Sequence, residues 1–255
     1  MAKLPLFTTV GKSLKNALFE LYHAMGYTLI TSVIWFLGLM PIGFLLLSLV
    51  SVLPQILKNS KQLMDAGVFV FVISLVISVV NGLLVGPVTT AFFGMYQDRK
   101  EGYPNLKTFF KHFIRFYWLS ARVHLVFSII ISLLVFNVMM MVVEPGLLLS
   151  VAGIFSLYGL FFLMLLSFYF HPLIFYKNNF KGVFKKAFLL LIDNFGVTFG
   201  FGLSLLIMFL LCSALLFPVV LVFGAFYIYF IDNGFELIYG KYEALDEKTT
   251  REEVQ

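Results

Sequence analysis

Long apolar runs, separated by short polar or turn-forming segments, dominate the pattern of this chain. A helix needs about 20 mostly apolar residues to cross the hydrocarbon layer of a bilayer. Six runs meet that length, and they cover residues 27–53, 66–96, 118–143, 147–176, 196–217 and 219–239. The pattern therefore predicts an all-α, polytopic transmembrane helical bundle with six spans.

The boundary between the fifth and sixth runs is the least marked, because no polar linker separates them. One helix over residues 196–239 would be about 66 Å long, which is about twice the thickness of the hydrocarbon layer. A reversal of the chain is therefore predicted near Pro218. The sixth run is also the least apolar, since Asp232 and Glu236 lie in its second half.

The composition agrees with a membrane environment. Hydrophobic residues make up 61% of the 255 residues and charged residues only 12%, whereas a soluble domain carries about 25% charged residues. Residues 1–242 are expected to form a single transmembrane domain. Residues 243–255 are rich in charge and predict a disordered cytoplasmic tail.

The positive charges indicate the orientation. A net charge of +5 would suggest a nucleic-acid partner in a soluble protein, but here the cations lie beside the spans and we exclude nucleic acid. Fifteen of the 18 Lys and Arg residues lie before span one, between spans two and three, between spans four and five, or after span six. Lys58 and Lys61 lie on the other side, and Arg122 lies inside span three. By the positive-inside rule, both termini are predicted to be cytoplasmic in a multi-pass protein of the cell (inner) membrane.

A basic amphipathic segment precedes each of spans one, three and five, at residues 12–28, 107–123 and 181–198. Placing Lys15 on Lys185 also places Gly26 on Gly196, whereas the middle copy has Arg122 at that position. These segments suggest three parallel two-helix repeats with amphipathic interfacial helices. The alternative is that any linker before a span on the cytoplasmic side has this composition.

The amphipathic segments provide candidate lipid contacts. A basic amphipathic helix lies in the headgroup layer, with its apolar face in the acyl region and its cations near anionic lipid. The basic residues expected to face lipid are Lys111, Arg115, Lys181, Lys185 and Lys186.

Polar groups at membrane depth are costly and are functional candidates for that reason. Six of them are predicted to share the cytoplasmic half of the bundle as one polar cluster: Arg122, His124, His171, Asp193, Asp232 and Glu236. Arg122 is the natural partner for Asp232 or Glu236. Alternatively, its side chain extends to a lipid phosphate.

Two of the returning helices carry proline in their cytoplasmic half. Proline in a spanning helix frees a backbone carbonyl that needs another partner, so a helix kink is predicted there. The residues of this candidate kink motif are Gly86, Pro87, Thr89, Thr90 and Pro172. They either line a cavity or simply bend the helices for packing.

The sequence carries no recognised catalytic motif, and we predict neither enzymatic activity nor a cofactor. His124 and His171 have no defined carboxylate geometry around them, so no metal site is predicted. The chain has one cysteine, Cys212, which excludes an internal disulfide.

Three segments resemble the YesL-like bacterial membrane proteins: NGLLVGPVTTAFFGMYQD at 81–98, the FxxHFxRFYW pattern at 109–118, and FKGVFKKAFLLLIDNFG at 180–196. Span one, with Trp35 and Pro41, is also similar, and the likeness covers most of residues 15–215. The resemblance implies an accessory role beside a sugar transport system. It supplies no catalytic residues.

Two functions therefore remain open. The first is a small transporter or an accessory component of carbohydrate uptake, with the polar cluster facing a cavity. The second is a structural or regulatory membrane protein that binds a partner protein or anionic lipid through its basic helices.

Overall fold

The computed structural model of the chain describes residues 5–57, 63–99, 106–143, 146–176, 179–215 and 218–252. Helices account for almost all of these residues, which confirms the all-α class. In chain order they are α1 (Leu6–His23), α2 (Met25–Leu57), α3 (Leu63–Val80), α4 (Gly86–Arg99), α5 (Leu106–Val143), α6 (Leu147–Ser167), α7 (Phe170–Tyr176), α8 (Phe180–Asp193), α9 (Phe195–Ala214) and α10 (Gly224–Glu252). Two π-helical turns, Asn81–Val85 and Val219–Phe223, lead directly into α4 and α10.

Six stretches of the described residues are long and apolar enough to cross a membrane, which confirms the predicted number of spans. They are Met25–Gly43, Val68–Arg99, Lys107–Val142, Leu147–Ser167, Phe195–Ala214 and Val219–Tyr242. Many of their large apolar side chains are exposed, including Phe155 at 72% and Leu210 at 58%. An apolar surface of this extent requires lipid around the bundle.

The six spans form three antiparallel hairpins. In the first, Trp35 of α2 contacts Thr89 of α4. In the second, a Cβ on Gly159 of α6 would lie 3.1 Å from Leu134 of α5. Because each hairpin returns to the end from which it started, α1, α8 and the first turns of α5 all lie at one end of the bundle, which we call the basic end.

The third hairpin confirms the predicted chain reversal near Pro218. The rings of Phe209 and Phe223 have centroids 5.3 Å apart, and so do those of Phe201 and Phe230. Residues later in α9 therefore pair with residues earlier in the sixth span, as antiparallel helices require. Residues 216–217 lie outside the described residues.

The least apolar span is the most buried one. In the membrane-spanning window of α10, 61% of the residues are buried, against 11% to 33% in the other five spans. Tyr229, Phe226 and Phe230 are fully buried there. A span surrounded by protein can carry polar residues that a lipid-facing span could not, which explains the low hydropathy of this segment.

The amphipathic segments differ in how they join their spans. The α1–α2 junction lies at Ala24 and the α8–α9 junction at Asn194, where the backbone leaves the helical region. These two positions coincide when Lys15 is placed on Lys185. The middle segment has no such break, since α5 is continuous over 38 residues. The internal repeat itself stays a prediction.

The end of the chain differs from the sequence-based expectation. Residues 243–255 predict a disordered tail, whereas α10 continues as helix to Glu252. The segment EALDEKTTRE follows an established helix and contains Glu, Ala, Leu and Lys, which are strong helix formers. Residues 253–255 lie outside the described part of the chain.

Candidate functional site

The structure does not bring the six residues of the predicted polar cluster together. It distributes them over four places: a buried histidine pair, a carboxylate–amide group between two helices, an exposed arginine, and an aspartate at a helix junction. The prediction of one shared cluster is therefore wrong. It placed residues by depth along each span, and depth does not determine which face of a helix a residue occupies.

The histidine pair belongs to a buried hydroxyl–imidazole network formed by Thr90, Ser120, His124 and His171. The imidazole rings of His124 and His171 stack with their centroids 4.6 Å apart. The Thr90 hydroxyl lies 2.9 Å from the Ser120 hydroxyl and 3.0 Å from His171 Nδ1. All four side chains are buried, so the network joins α4, α5 and α7 inside the bundle.

The protonation of His124 follows from its neighbours. Its Nδ1 lies 2.9 Å from the backbone carbonyl oxygen of Ser120. Because a carbonyl oxygen only accepts, Nδ1 carries the ring proton and donates it. On the other side of His171, the Phe93 ring stacks at 5.2 Å. The network is thus enclosed by aromatic and backbone groups, and this arrangement is typical of structural histidines.

Gly86 is what allows α4 and α5 to approach at this point. A Cβ at Gly86 would lie 2.4 Å from Cγ of His124, which is closer than carbon atoms can pack. The Gly86 amide donates to the carbonyl of Asn81 through the π turn. Pro87, which follows, has no amide hydrogen to donate to the preceding turn. The π turn Asn81–Val85 thus lies directly before Gly86 and Pro87, where the kink is predicted, and the kink itself stays a prediction.

The remaining residues of the kink motif have separate roles. The Thr89 hydroxyl donates to the Val85 carbonyl at 2.8 Å and accepts from Trp35 Nε1 at 3.1 Å. Thr89 thus stabilises the π turn and ties it to α2. Pro172 lies in the first turn of α7, after a break between Ser167 and Phe170, where its missing amide hydrogen costs little.

The carboxylate–amide group lies where α4 meets α10. Nε2 of Gln97 lies 2.7 and 2.8 Å from the two carboxylate oxygens of Asp232, and 3.4 Å from a carboxylate oxygen of Glu236. Asp232 is only 1% exposed. A charge-assisted bond from an amide stabilises a buried carboxylate in this setting. Sequence reasoning missed Gln97 because it lies next to the charged linker after span two.

A second polar contact at the basic end was also missed from the sequence. Arg99 forms an ion pair with Glu20 of α1 at 2.7 Å. Its guanidinium carbon lies 5.5 Å from the ring centroid of Tyr27 and 5.7 Å from that of Tyr229. The sequence signal was a lone acidic residue in a basic amphipathic segment. This contact ties α1 to α2, α4 and α10.

Arg122 is not the partner of Asp232. Its side chain is exposed on α5, whereas Asp232 is buried in α10. Nε of Arg122 donates to the carbonyl of Trp118, one turn earlier, at 3.0 Å. The alternative interpretation, in which the guanidinium extends to a lipid phosphate, stays a prediction.

Asp193 lies at the α8–α9 junction. Its carboxylate accepts from the Tyr242 hydroxyl at 3.1 Å, and the same hydroxyl accepts from Asn194 Nδ2 at 2.9 Å. Asp193 thus holds the helix junction against α10. Among the described residues, no group of three or more His, Cys, Asp or Glu side chains is placed to hold a metal ion.

The predicted lipid-facing cations are exposed with one exception. Lys111, Arg115, Lys181 and Lys185 are exposed, whereas Lys186 is partly buried. Nζ of Lys186 donates to the Tyr239 hydroxyl at 3.4 Å, because its position on α8 turns it toward α10. Lys186 therefore lies against α10, unlike the four exposed cations.

Fold and surface together define the class of this protein: an integral membrane protein whose described residues include six helical stretches of spanning length. Comparison with models of known protein families, with curated proteins and with solved structures returned no match. Function must therefore be inferred from the chain's own geometry.

Proposed function

We propose that this chain is an accessory or regulatory membrane protein that acts through its basic end, where it binds anionic lipid and a partner protein. The amphipathic faces of α1 and α8 carry this proposal. Each helix packs one face against the bundle and leaves cations and aromatic or aliphatic side chains together on the outer face.

The two helices share the same division of faces. α1 buries Ser13 and Ala17 and exposes Lys12 and Lys15, with Phe19 exposed at 58%. In α8, the buried side chains are Val183, Ala187, Leu190 and Leu191, and the exposed ones include Lys181, Lys185 and Phe188. Cations beside exposed aromatic rings suit the headgroup layer, where the rings enter the acyl region and the cations meet phosphate.

The proposed setting is the bacterial cell membrane, with the basic end and both termini in the cytoplasm. The excess of Lys and Arg on that side supports this orientation. The anionic lipids of the cytoplasmic leaflet attract each surface cation by about 1 kcal/mol. We also propose membership of the YesL-like family, on the three segments that resemble it, and a sugar transport system as the partner.

The lipid part of this proposal can be tested by electron paramagnetic resonance with spin-labelled phosphatidylglycerol in reconstituted vesicles of phosphatidylcholine. We expect the anionic lipid to associate preferentially with the protein. Changing both Lys181→Gln and Lys185→Gln should lower that preference several-fold at low salt, where surface charges are least screened.

Lys186→Gln is the matched control, because it removes the same charge from the same helix but from a side chain packed on Tyr239. We expect a smaller change in lipid preference for this variant. An equal loss in the control, or an unchanged preference in the double variant at low salt, would contradict the proposal.

A transporter is the second candidate, and the carboxylate–amide group favours it. A buried carboxylate in a spanning helix is costly and is typical of substrate or ion pathways. If the chain transports a sugar, Asp232→Asn should abolish uptake of labelled sugars by vesicles while the protein still inserts. Unchanged uptake would exclude the assignment of Asp232. A gene position beside carbohydrate uptake genes would support both the family and the partner.

A further inference from the structure

The exposed flank of α5 carries three side chains whose arrangement differs from that on α1 and α8. Arg115, Trp118 and Arg122 follow one another at spacings of three and four residues, so they share one helix face. All three are exposed, Trp118 at 70%. Two guanidinium groups thus flank an indole ring along about two turns of helix.

The length of α5 places this face at the membrane boundary. α5 ends at Val143 and has 38 residues, which corresponds to about 57 Å, whereas the hydrocarbon layer is about 30 Å thick. A span of about 20 residues that ends at Val143 begins near His124. Arg122 therefore lies at the edge of the hydrocarbon layer on the basic side, and Trp118 lies in the headgroup layer.

The side-chain contacts leave both arginines of this face on the surface of the bundle. Nε of Arg122 donates to the carbonyl of Trp118, one turn earlier in α5, and the Arg122 side chain is exposed. The guanidinium of Arg115 lies over the Phe116 ring at 5.0 Å. Within the described part of the chain, neither arginine forms an ion pair with an acidic side chain.

We propose that Arg115, Trp118 and Arg122 form a binding site for the headgroup of one anionic phospholipid. Arg122 binds the phosphate through both terminal nitrogens, a geometry for which guanidinium is better suited than ammonium. Arg115 contributes a second positive charge about two turns further out. Trp118 packs on the lipid between them, at the depth where indole rings are enriched. This inference rests on the proposed binding of anionic lipid, and it names the site.

Native mass spectrometry can test the site. The protein is released from nanodiscs of phosphatidylcholine that contain a minor fraction of phosphatidylglycerol, and the retained phosphatidylglycerol is counted. We expect Arg122→Gln to lower the retained fraction about tenfold, as for the loss of one charge-assisted bidentate contact. The matched control is Lys107→Gln, which removes an exposed cation from the same helix, about two turns before Arg115, and should retain lipid as the unmodified chain does.

A charge-conserving variant separates phosphate recognition from general attraction. Arg122→Lys keeps the charge but loses the bidentate geometry, so it should recover only part of the binding. Full recovery by lysine, equal losses in Arg122→Gln and Lys107→Gln, or an unaffected Arg122→Gln would each overturn the site. Since Arg122 is exposed, these variants should elute and melt as the unmodified protein does.

The two experiments fail in different ways. If the spin-labelled lipid prefers the protein but its retention does not depend on Arg122, only this site is wrong. If the spin-labelled lipid shows no preference, the proposed lipid binding is itself wrong.

Discussion

The close contact between Gly86 and His124 makes a quantitative prediction about stability. In Gly86→Ala, the new Cβ would lie 2.4 Å from Cγ of His124. Helix α4 or the imidazole must therefore move. Overpacking of a buried site lowers the free energy of unfolding by about 1–3 kcal/mol. Displacing the ring also weakens its bond to Ser120, which adds about 1 kcal/mol.

We therefore expect Gly86→Ala to lower the free energy of unfolding by about 2–4 kcal/mol. For a chain of about this size, each kcal/mol lowers the melting temperature by about 2–4 °C. The assay is thermal unfolding in a mild detergent, followed by size-exclusion chromatography of the fraction that remains folded. A decrease of about 6–12 °C is expected for a loss of about 3 kcal/mol.

Gly196→Ala is the matched control, because a Cβ there meets no atom within 4 Å. Alanine is the better helix former, so this variant should be neutral or stabilised by up to about 1 kcal/mol. Adding His124→Ala to Gly86→Ala should reverse part of the loss, since the smaller side chain makes room for the new methyl group. Equal melting temperatures for Gly86→Ala and Gly196→Ala would refute the reasoning.

Three further predictions concern buried polar groups and the cysteine. The Ser32 hydroxyl accepts a hydrogen bond from the Ala225 amide at 2.9 Å. Ser32→Ala leaves this buried amide without that acceptor and should lower the free energy of unfolding by about 1–3 kcal/mol. A melting temperature equal to that of the unmodified protein would contradict this. Gln97→Leu should lower the free energy of unfolding by about 1.5–3 kcal/mol, because Asp232 loses a charge-assisted hydrogen bond. Gln97→Asn should lower it less if the shorter amide still reaches the carboxylate. Cys212 is 4% exposed, so it should react with a maleimide only after denaturation; rapid labelling of the folded protein would show that α9 packs differently.

The spans were predictable because each one satisfies its own backbone hydrogen bonds in lipid. Whether a segment crosses the membrane therefore depends mainly on its own apolar length. The six predicted runs match six spanning stretches of the structure. The reversal near Pro218 followed from the same reasoning about length, and the contact between Phe209 and Phe223 confirms it.

The polar contacts were only partly predictable. His124 and His171 were both expected in the same half of the bundle, and they do meet. Arg122 was expected either to pair with Asp232 or Glu236 or to extend to a lipid phosphate, and it does not pair with Asp232. Depth follows from position along a span, but pairing depends on how each helix is rotated about its axis. That rotation is set by packing against neighbouring helices.

The sequence by itself determined the helical class, the number of spans and the clustering of cations beside them, because these properties belong to single segments in contact with lipid or water. Only the tertiary structure decided that α10 lies at the centre, that Gln97 faces Asp232, and that Arg122 faces outward. Those outcomes depend on the close approach of helices at small residues such as Gly86, and no single segment contains that information.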